Sequence, residues 1–283
     1  MSDKSVVLRV AGSVRRRVYP EVDRQRARVK KLRRALHKAE AEAASLAAQL
    51  QAIEDAKKLA PGDEDALTKE IVARTSEYTM TSPVKRVALI AAARHIARTG
   101  LSGDIVECGV WRGGSIHVIA RAFHAEGVHD RDIHLFDTFE GMTEPGHQDV
   151  KIKDGRSARE ILDVSRKTQW IWAIASLEDV QEGLRTLDYP YERFHFVQGP
   201  VEETIPDRAP ERIALLRLDT DWYESTKHEL EHLYDRLVPG GVLIIDDYGS
   251  WEGSREATNE FLASLDDPPL MLRAGTGRIG VKP

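Results

Sequence analysis

Asp104-Ile-Val-Glu-Cys-Gly-Val-Trp-Arg-Gly-Gly-Ser115 is the stretch that decides the fold. A short apolar run ends in an acid and a cysteine, glycines follow at 109, 113 and 114, and a helical pattern continues through Phe123. This is the grammar of a buried strand, a tight turn and a helix, the repeating unit of parallel α/β sheets. Outward from it, residues 133–137, 193–197, 213–218 and 241–245 read as further buried strands. Helices are expected over 83–99, 178–186, 226–237 and 254–265. A last pair of runs at 271–273 and 279–281 flanks Gly275-Thr-Gly277 and reads as an antiparallel hairpin. The expected architecture is a mostly parallel sheet with helices on both faces. In such sheets, chemistry belongs at the carboxyl ends of the strands.

Three groups of residues fall at those ends. The first is Glu107 to Ser115, where glycines let the backbone approach a ligand and the helix that follows offers free N–H groups to a carboxylate or phosphate. A glycine-rich turn also serves dinucleotides, but glycines at 109, 113 and 114 depart from G-x-G-x-x-G, which moves the reading from NAD toward S-adenosylmethionine. The second is Asp137, placed either to accept the ribose hydroxyls of a nucleoside or to cap a helix. The third is the pair of segments Arg217-Leu-Asp-Thr-Asp-Trp-Tyr-Glu-Ser-Thr226 and Ile245-Asp-Asp-Tyr248. Carboxylates gathered at neighbouring strand ends repel one another unless neutralised, and an oxygen-only donor set suits magnesium or another hard divalent cation. Helix capping is the rival explanation for each aspartate taken singly. It does not account for Asp246 and Asp247 side by side after a buried strand.

The first sixty residues differ from the rest. Val29, Leu32, Leu36, Ala39, Ala43, Leu46, Leu50 and Ile53 alternate in steps of three and four, the period of a coiled-coil seam. A helix is expected there, ending at Pro61-Gly62. Its seam either pairs with a second copy, giving a homo-oligomer, or folds back on the rest of the chain. The basic run from Arg15 to Arg34 reads as a solvated face, with peripheral membrane contact as the alternative. The organisation expected is therefore 1–60 heptad helix, 61–103 helical lead-in and lid, and 104–283 catalytic domain. A net charge of −5 gives no reason to expect nucleic-acid binding, and the single cysteine, Cys108, excludes internal disulfides. No apolar run is long enough to span a bilayer, and Arg9 breaks the short one near the start, so a cytoplasmic location is expected.

With these motifs in view, the sequence resembles the macrocin O-methyltransferase family over roughly residues 70–283. The matching stretches are Tyr78-Thr-Met-Thr-Ser82, Asp104 to Ser115, Phe136 to Gly141, Gly199 to Pro206, Leu216 to Thr226 and Pro239 to Tyr248. The resemblance implies a Rossmann-like class I methyltransferase fold with S-adenosylmethionine as donor, a divalent metal on Asp219, Asp246 and Asp247, and Asp219 also as general base. The arrangement is similar to that of catechol O-methyltransferases. By that comparison Glu107, Gly109, Ser115 and Asp137 contact the cofactor, and Gly199, Val201 and Glu202 lie near its adenine. Thr79, Met80, Thr81 and Ser82 line the methionine end or a lid. The implied acceptor is a sugar or other small hydroxylated molecule. Two departures stand out. Pro-Val-Glu-Glu replaces the family's aromatic-rich loop after Gly199, and the heptad segment lies outside the resemblance. Acceptor recognition is expected in 142–174, where Trp170 and Trp172 are either stacking or packing residues. The histidines at 117, 134, 147 and 195 show no ligand spacing. An NAD-dependent oxidoreductase and a catalytically silent scaffold are the rival functions.

Overall fold

The computed structural model of the chain describes residues 64–165 and 173–283, together with eleven positions between Arg24 and Ala43. The chain divides into two units, Met1–Glu54 and Asp55–Pro283. In the first, the described positions are helical and exposed, Val29, Leu32 and Leu36 of the expected seam among them. The remaining seam positions Leu46, Leu50 and Ile53, and also Trp170 and Trp172, lie outside the described residues.

The second unit holds a seven-stranded sheet of order β3-β2-β1-β4-β5-β7-β6. Its strands are β1 (Asp104–Cys108), β2 (Ile133–Asp137), β3 (Phe194–Gln198), β4 (Ile213–Leu218), β5 (Leu237–Ile245), β6 (Leu272–Ala274) and β7 (Gly277–Val281). The first five run parallel, and β7 and β6 close the edge antiparallel. The helices are α1 (Ala66–Arg74), α2 (Pro83–Thr99), α3 (Gly114–Ala125), α4 (Ala158–Ser165), α5 (Leu177–Leu184), α6 (Val201–Thr204), α7 (Tyr223–Leu233) and α8 (Glu252–Ala263).

Strand side chains alternate between two cores, as a period of two requires. Ile105, Leu215 and Ile244 face a layer with Leu89, Ile96, Ile116 and Phe123 of α2 and α3. Val106, Leu216 and Ile245 face Leu230 and Leu233 of α7. Because both faces are covered, β4 can be apolar along its whole length except at Arg217.

Helix α2 starts at Pro83, where a missing N–H costs nothing, and stops at Gly100 in the left-handed conformation, as its sequence predicts. Elsewhere the boundaries move by a few residues. Helix α7 begins at Tyr223 rather than 226, because its first free N–H is capped by a residue from a distant loop, Asp149 Oδ1, at 2.8 Å. Strand β5 begins at Leu237 rather than 241. Pro239-Gly-Gly241 is absorbed as an irregularity, with Ile213 opposite Leu237 but Leu215 opposite Val242.

The strand order reverses between β1 and β4, and there the carboxyl ends are tied in series. Asp219 N–H donates to Cys108 O at 2.8 Å, and Asp246 N–H donates to Leu218 O at 2.9 Å. Gly109 sits at φ +82°, and a Cβ on it would lie 2.1 Å from the Asp219 carbonyl oxygen. Only glycine fits where the first turn presses on the loop that carries Asp219.

Candidate active site

The reversal opens into a cleft of about 1340 Å³. Its lining includes Thr79 to Ser82, Gly109 to Trp111, Gly114, Ser115, Asp137 and Gly199 to Glu202. Met142, Thr143, Lys151, Trp222, Trp251 and Arg273 line it as well, together with Asp219, Asp221, Asp246 and Asp247. The strap that carries Thr79 reaches the wall because Gly114 has no side chain: a Cβ there would lie 2.4 Å from Thr79 Cβ.

Asp219, Asp246 and Asp247 each bring one carboxylate oxygen within 4.8 Å of the others. Two cations stand among them. Arg217 points from β4 into the cluster, pairing with Glu107, with Asp219 Oδ2 at 2.8 Å and with Asp246 Oδ1 at 2.6 Å. Lys85 of α2 pairs with Asp246 Oδ2 and also donates to its backbone oxygen at 2.9 Å. Arg217 and Glu107 are almost wholly buried, so each needs the other.

The three aspartates are in different electrostatic states. Burial pushes the Asp246 carboxyl up, but Arg217 and then Lys85 overcome it and hold the group below its ordinary value. Burial raises Asp219 well above the usual carboxylate range against the pull of Arg217, and the charges of Asp246 and Asp247 raise it further. Burial raises Asp247 likewise, followed by the Asp221 and Asp246 charges beside it. Asp221 itself is pushed up to about 7, by burial and then by Asp219, although Trp251 Nε1 donates to its Oδ1 at 2.5 Å. Glu107 also rises to about 7, mainly by burial.

Five carboxyl groups thus meet two cationic side chains, and neither cation pairs with Asp221 or Asp247. Asp247 Oδ2 is buried with no hydrogen-bond partner. Asp219 keeps 27% of its side chain exposed, against 7% for Asp246. An orphaned carboxylate oxygen, more carboxyls than cationic partners and an all-oxygen donor set fit a hard divalent cation. Asp219 and Asp247 are the more available ligands. Both oxygens of Asp246 already carry a cationic partner, so a metal there would share them with Arg217 and Lys85.

The other expected site residues mostly reach the cleft. Thr79, Met80, Thr81, Ser82, Gly109, Ser115, Asp137, Gly199, Val201 and Glu202 all line it. Glu107 does not: it lies behind the wall as the buried partner of Arg217, because a carboxylate inside the sheet needs a counter-charge more than a ligand does. Asp137 is on the wall but heavily engaged. Its Oδ2 accepts from Val110 N–H at 2.6 Å and Trp111 N–H at 3.0 Å, and its Oδ1 accepts from Phe139 N–H at 2.7 Å. It braces the glycine turn as well as facing the cleft. His117 is buried and stacked on Tyr78 at 4.1 Å between ring centres, and burial lowers it to about 4.

Lys85, Trp222 and Trp251 were not expected in the site. Lys85 lies on a surface-patterned helix far away in sequence, and no local signal marks it. Arg217 did carry a signal: a lone arginine inside an apolar strand has to be paired. The aromatic wall comes from Trp222 and Trp251, packed edge to face at 5.0 Å between ring centres, with Lys151 Nζ 5.5 Å from the Trp251 ring. The loop that carries Lys151 is fastened to Trp251 by an isolated antiparallel bridge and by Ile152 N–H donating to Ser250 O at 3.0 Å.

Comparisons with known proteins bear on the family and the fold. The family model described as Macrocin-O-methyltransferase (TylF) matches residues 11–268. The match begins inside the N-terminal segment, so that segment is not outside the family's span, as the sequence motifs alone had suggested. A demethyldecarbamoylnovobiocin O-methyltransferase of Streptomyces niveus is 32% identical over 164 residues, 58% of this chain and 60% of that protein. A tetracenomycin-C rhamnosyl 4'-O-methyltransferase of Streptomyces olivaceus is 35% identical over 171 residues, 60% of this chain and 62% of that protein. The chain thus spans about 60% of the length of the curated relatives it matches. Among solved structures, the O-methyltransferase NovP is similar with a TM-score of 0.63 and 28% identity, over 72% of this chain and 82% of that one. The fold is that of the Rossmann-like class I O-methyltransferases.

Proposed function

The chain belongs to the macrocin-O-methyltransferase family, and from that premise we propose that it moves a methyl group from S-adenosylmethionine to a hydroxyl of a sugar or glycosylated small molecule, with a divalent cation, magnesium first, at Asp219, Asp246 and Asp247. The observation that carries the reading is the convergence of those aspartates, one oxygen of Asp247 unpartnered, at the cleft beside the glycine turn.

When bound, the donor supplies a sulfonium methyl, and the metal lowers the pKa of the acceptor hydroxyl. The chain's residues do the rest. Gly109 lets the first turn pack on the Asp219 loop and Gly114 lets the Thr79 strap close on it, and both line the cleft where the donor would lie. Asp137 stiffens that turn, and Glu202 lies at the adenine end. Asp219, the most open of the three acids, takes the acceptor proton. Arg217 and Lys85 pin Asp246, so the cluster keeps its shape without its ion. Trp222 and Trp251 offer aromatic faces to a sugar ring. The depth of the cleft excludes water and fixes the line of attack.

Two measurements test this. Incubation with S-adenosylmethionine and a panel of glycosides should give a product heavier by one methylene group, EDTA should stop the reaction, and magnesium should restore it. Full turnover in chelator would remove the metal from the mechanism. Calorimetry should show binding of S-adenosylmethionine and its demethylated product but not of NAD; the reverse pattern would favour an oxidoreductase.

Self-association belongs to the same proposal. Val29, Leu32 and Leu36 are exposed at seam spacing on helical backbone, and a second copy would cover them. Sedimentation of the intact chain should give an oligomer, and Leu32→Glu with Leu36→Glu should dissociate it. An unchanged sedimentation coefficient would place the contact elsewhere.

A further inference from the structure

Helix α7 carries a buried acid that the chemistry above does not use. Glu229 has no solvent exposure, and it accepts from the Thr220 hydroxyl, with Oγ1 3.0 Å from Oε1 and 3.2 Å from Oε2, and hydrogen-bonds the buried Cys108 thiol at the end of β1. Thr220 is the residue between Asp219 and Asp221. The pair therefore joins the middle of helix α7 to the centre of the loop that presents two of the site's acids.

That loop needs an anchor. Asp221 sits at φ +67°, left-handed backbone that a non-glycine residue adopts only under constraint. The backbone ties are few: Asp219 N–H to Cys108 O at 2.8 Å and Trp222 N–H to Thr220 O at 2.8 Å. Ser225 Oγ adds a long contact to Thr220 O at 3.5 Å. Through Thr220 Oγ1 and Glu229 the loop's central side chain is tied to the helix below.

The character of Glu229 suits an anchor and not a ligand. Burial pushes its carboxyl well above the ordinary range, against the pull of the Thr220 hydroxyl, and the charges of Glu202, Asp219 and Asp247 push it the same way. Glu229 is wholly buried and does not line the cleft, so what it contributes to the site is shape.

We propose that Glu229 is a positioning residue which, through the Thr220 hydroxyl, holds the 219–221 loop in the geometry that lets Asp219 and its neighbours take a divalent ion. This rests on the metal reading above and adds a residue to it. A partner of this kind behind a ligand is worth about ten- to a hundredfold in metal affinity.

The test is titration of the intact chain with Mn2+, read by electron paramagnetic resonance, beside S-adenosylhomocysteine binding by calorimetry and thermal unfolding. Glu229→Gln keeps an acceptor for Thr220 and is expected to bind Mn2+ within about twofold of the unaltered chain, whereas Glu229→Leu should weaken it by about tenfold or more. Thr220→Val removes the same hydrogen bond from the cleft side without touching the core, and it should weaken Mn2+ binding to the same degree even if Glu229→Leu does not fold. S-adenosylhomocysteine should bind every folded variant, showing that the donor side is intact. Unchanged Mn2+ affinity in Thr220→Val, or equal loss in Glu229→Gln and Glu229→Leu, overturns the proposal. If the unaltered chain takes up no Mn2+, the metal reading itself has failed, and this inference goes with it.

Discussion

Asp219→Asn should lower kcat/KM by about 10²–10⁴-fold, the range for losing a positioned general base, and Asp247→Ala should lower it at least as far. S-adenosylhomocysteine should still bind both variants with near-normal affinity. The reasoning is spatial. Both residues line the cleft, and neither lies within the glycine turn or residues 199–202. The two substitutions should differ in their metal response. Asp219→Asn keeps an oxygen ligand, so added magnesium should recover part of its activity, whereas Asp247→Ala removes the oxygen that has no other partner. Steady-state rates across a magnesium series, with calorimetry for the donor product, check both statements. Normal turnover in either variant would take the acid cluster out of the chemistry.

Arg217→Leu should be the most damaging single change to stability. Its guanidinium faces Glu107, Asp219 and Asp246, and its own side chain is 2% exposed. Removing it leaves buried carboxylates without their counter-ion, a loss of about 3–5 kcal/mol for one broken buried pair. At roughly 2–4 °C per kcal/mol for a domain of this size, the thermal midpoint should fall by about 6–20 °C. Arg217→Lys should recover only part of this, because a single ammonium cannot reproduce the planar fork that reaches separate carboxylates at once. Thermal unfolding of the purified variants decides the matter. An unchanged midpoint for Arg217→Leu would mean that Glu107 and Asp246 are neutral or find other partners.

Much of the fold could be read from the sequence because a parallel strand covered on both faces has to be apolar without interruption. Residues 104–108, 133–137 and 213–218 satisfy that so fully that their limits agree with the structure. Boundaries went astray where a distant residue decided them. Asp149 caps α7 from a loop more than seventy positions away in sequence, and the bulge at 239–241 depends on pairing with β4. The acids of the site were legible for a related reason: carboxylates that end buried strands have few places to go. Their partners were not. Lys85 carries no mark in its own helix, and Glu229, within Lys-His-Glu-Leu-Glu, looks like an ordinary solvated helix acid until packing buries it. Acceptor recognition is expected in 142–174, and Trp170 and Trp172 of that stretch lie outside the described residues. Among the described residues Trp111, Trp222 and Trp251 line the cleft, the last two four and six positions after β4 and β5 end.

The fastening of the Lys151 loop bears on how such a protein changes its clientele. That segment meets the body of the chain through the Lys151–Trp251 bridge, main-chain bonds, the Asp149 cap, the Trp222 Nε1 to Thr143 O bond and the packing of Met142, Ala158 and Leu162 on Trp222 and Trp251, and none of its described residues belongs to a sheet strand. Under the proposed transfer, the mouth of the cleft and the acids with their counter-ions are thus carried by different segments. Exchanging this one segment between relatives should change which molecules are accepted and leave the acid cluster where it is.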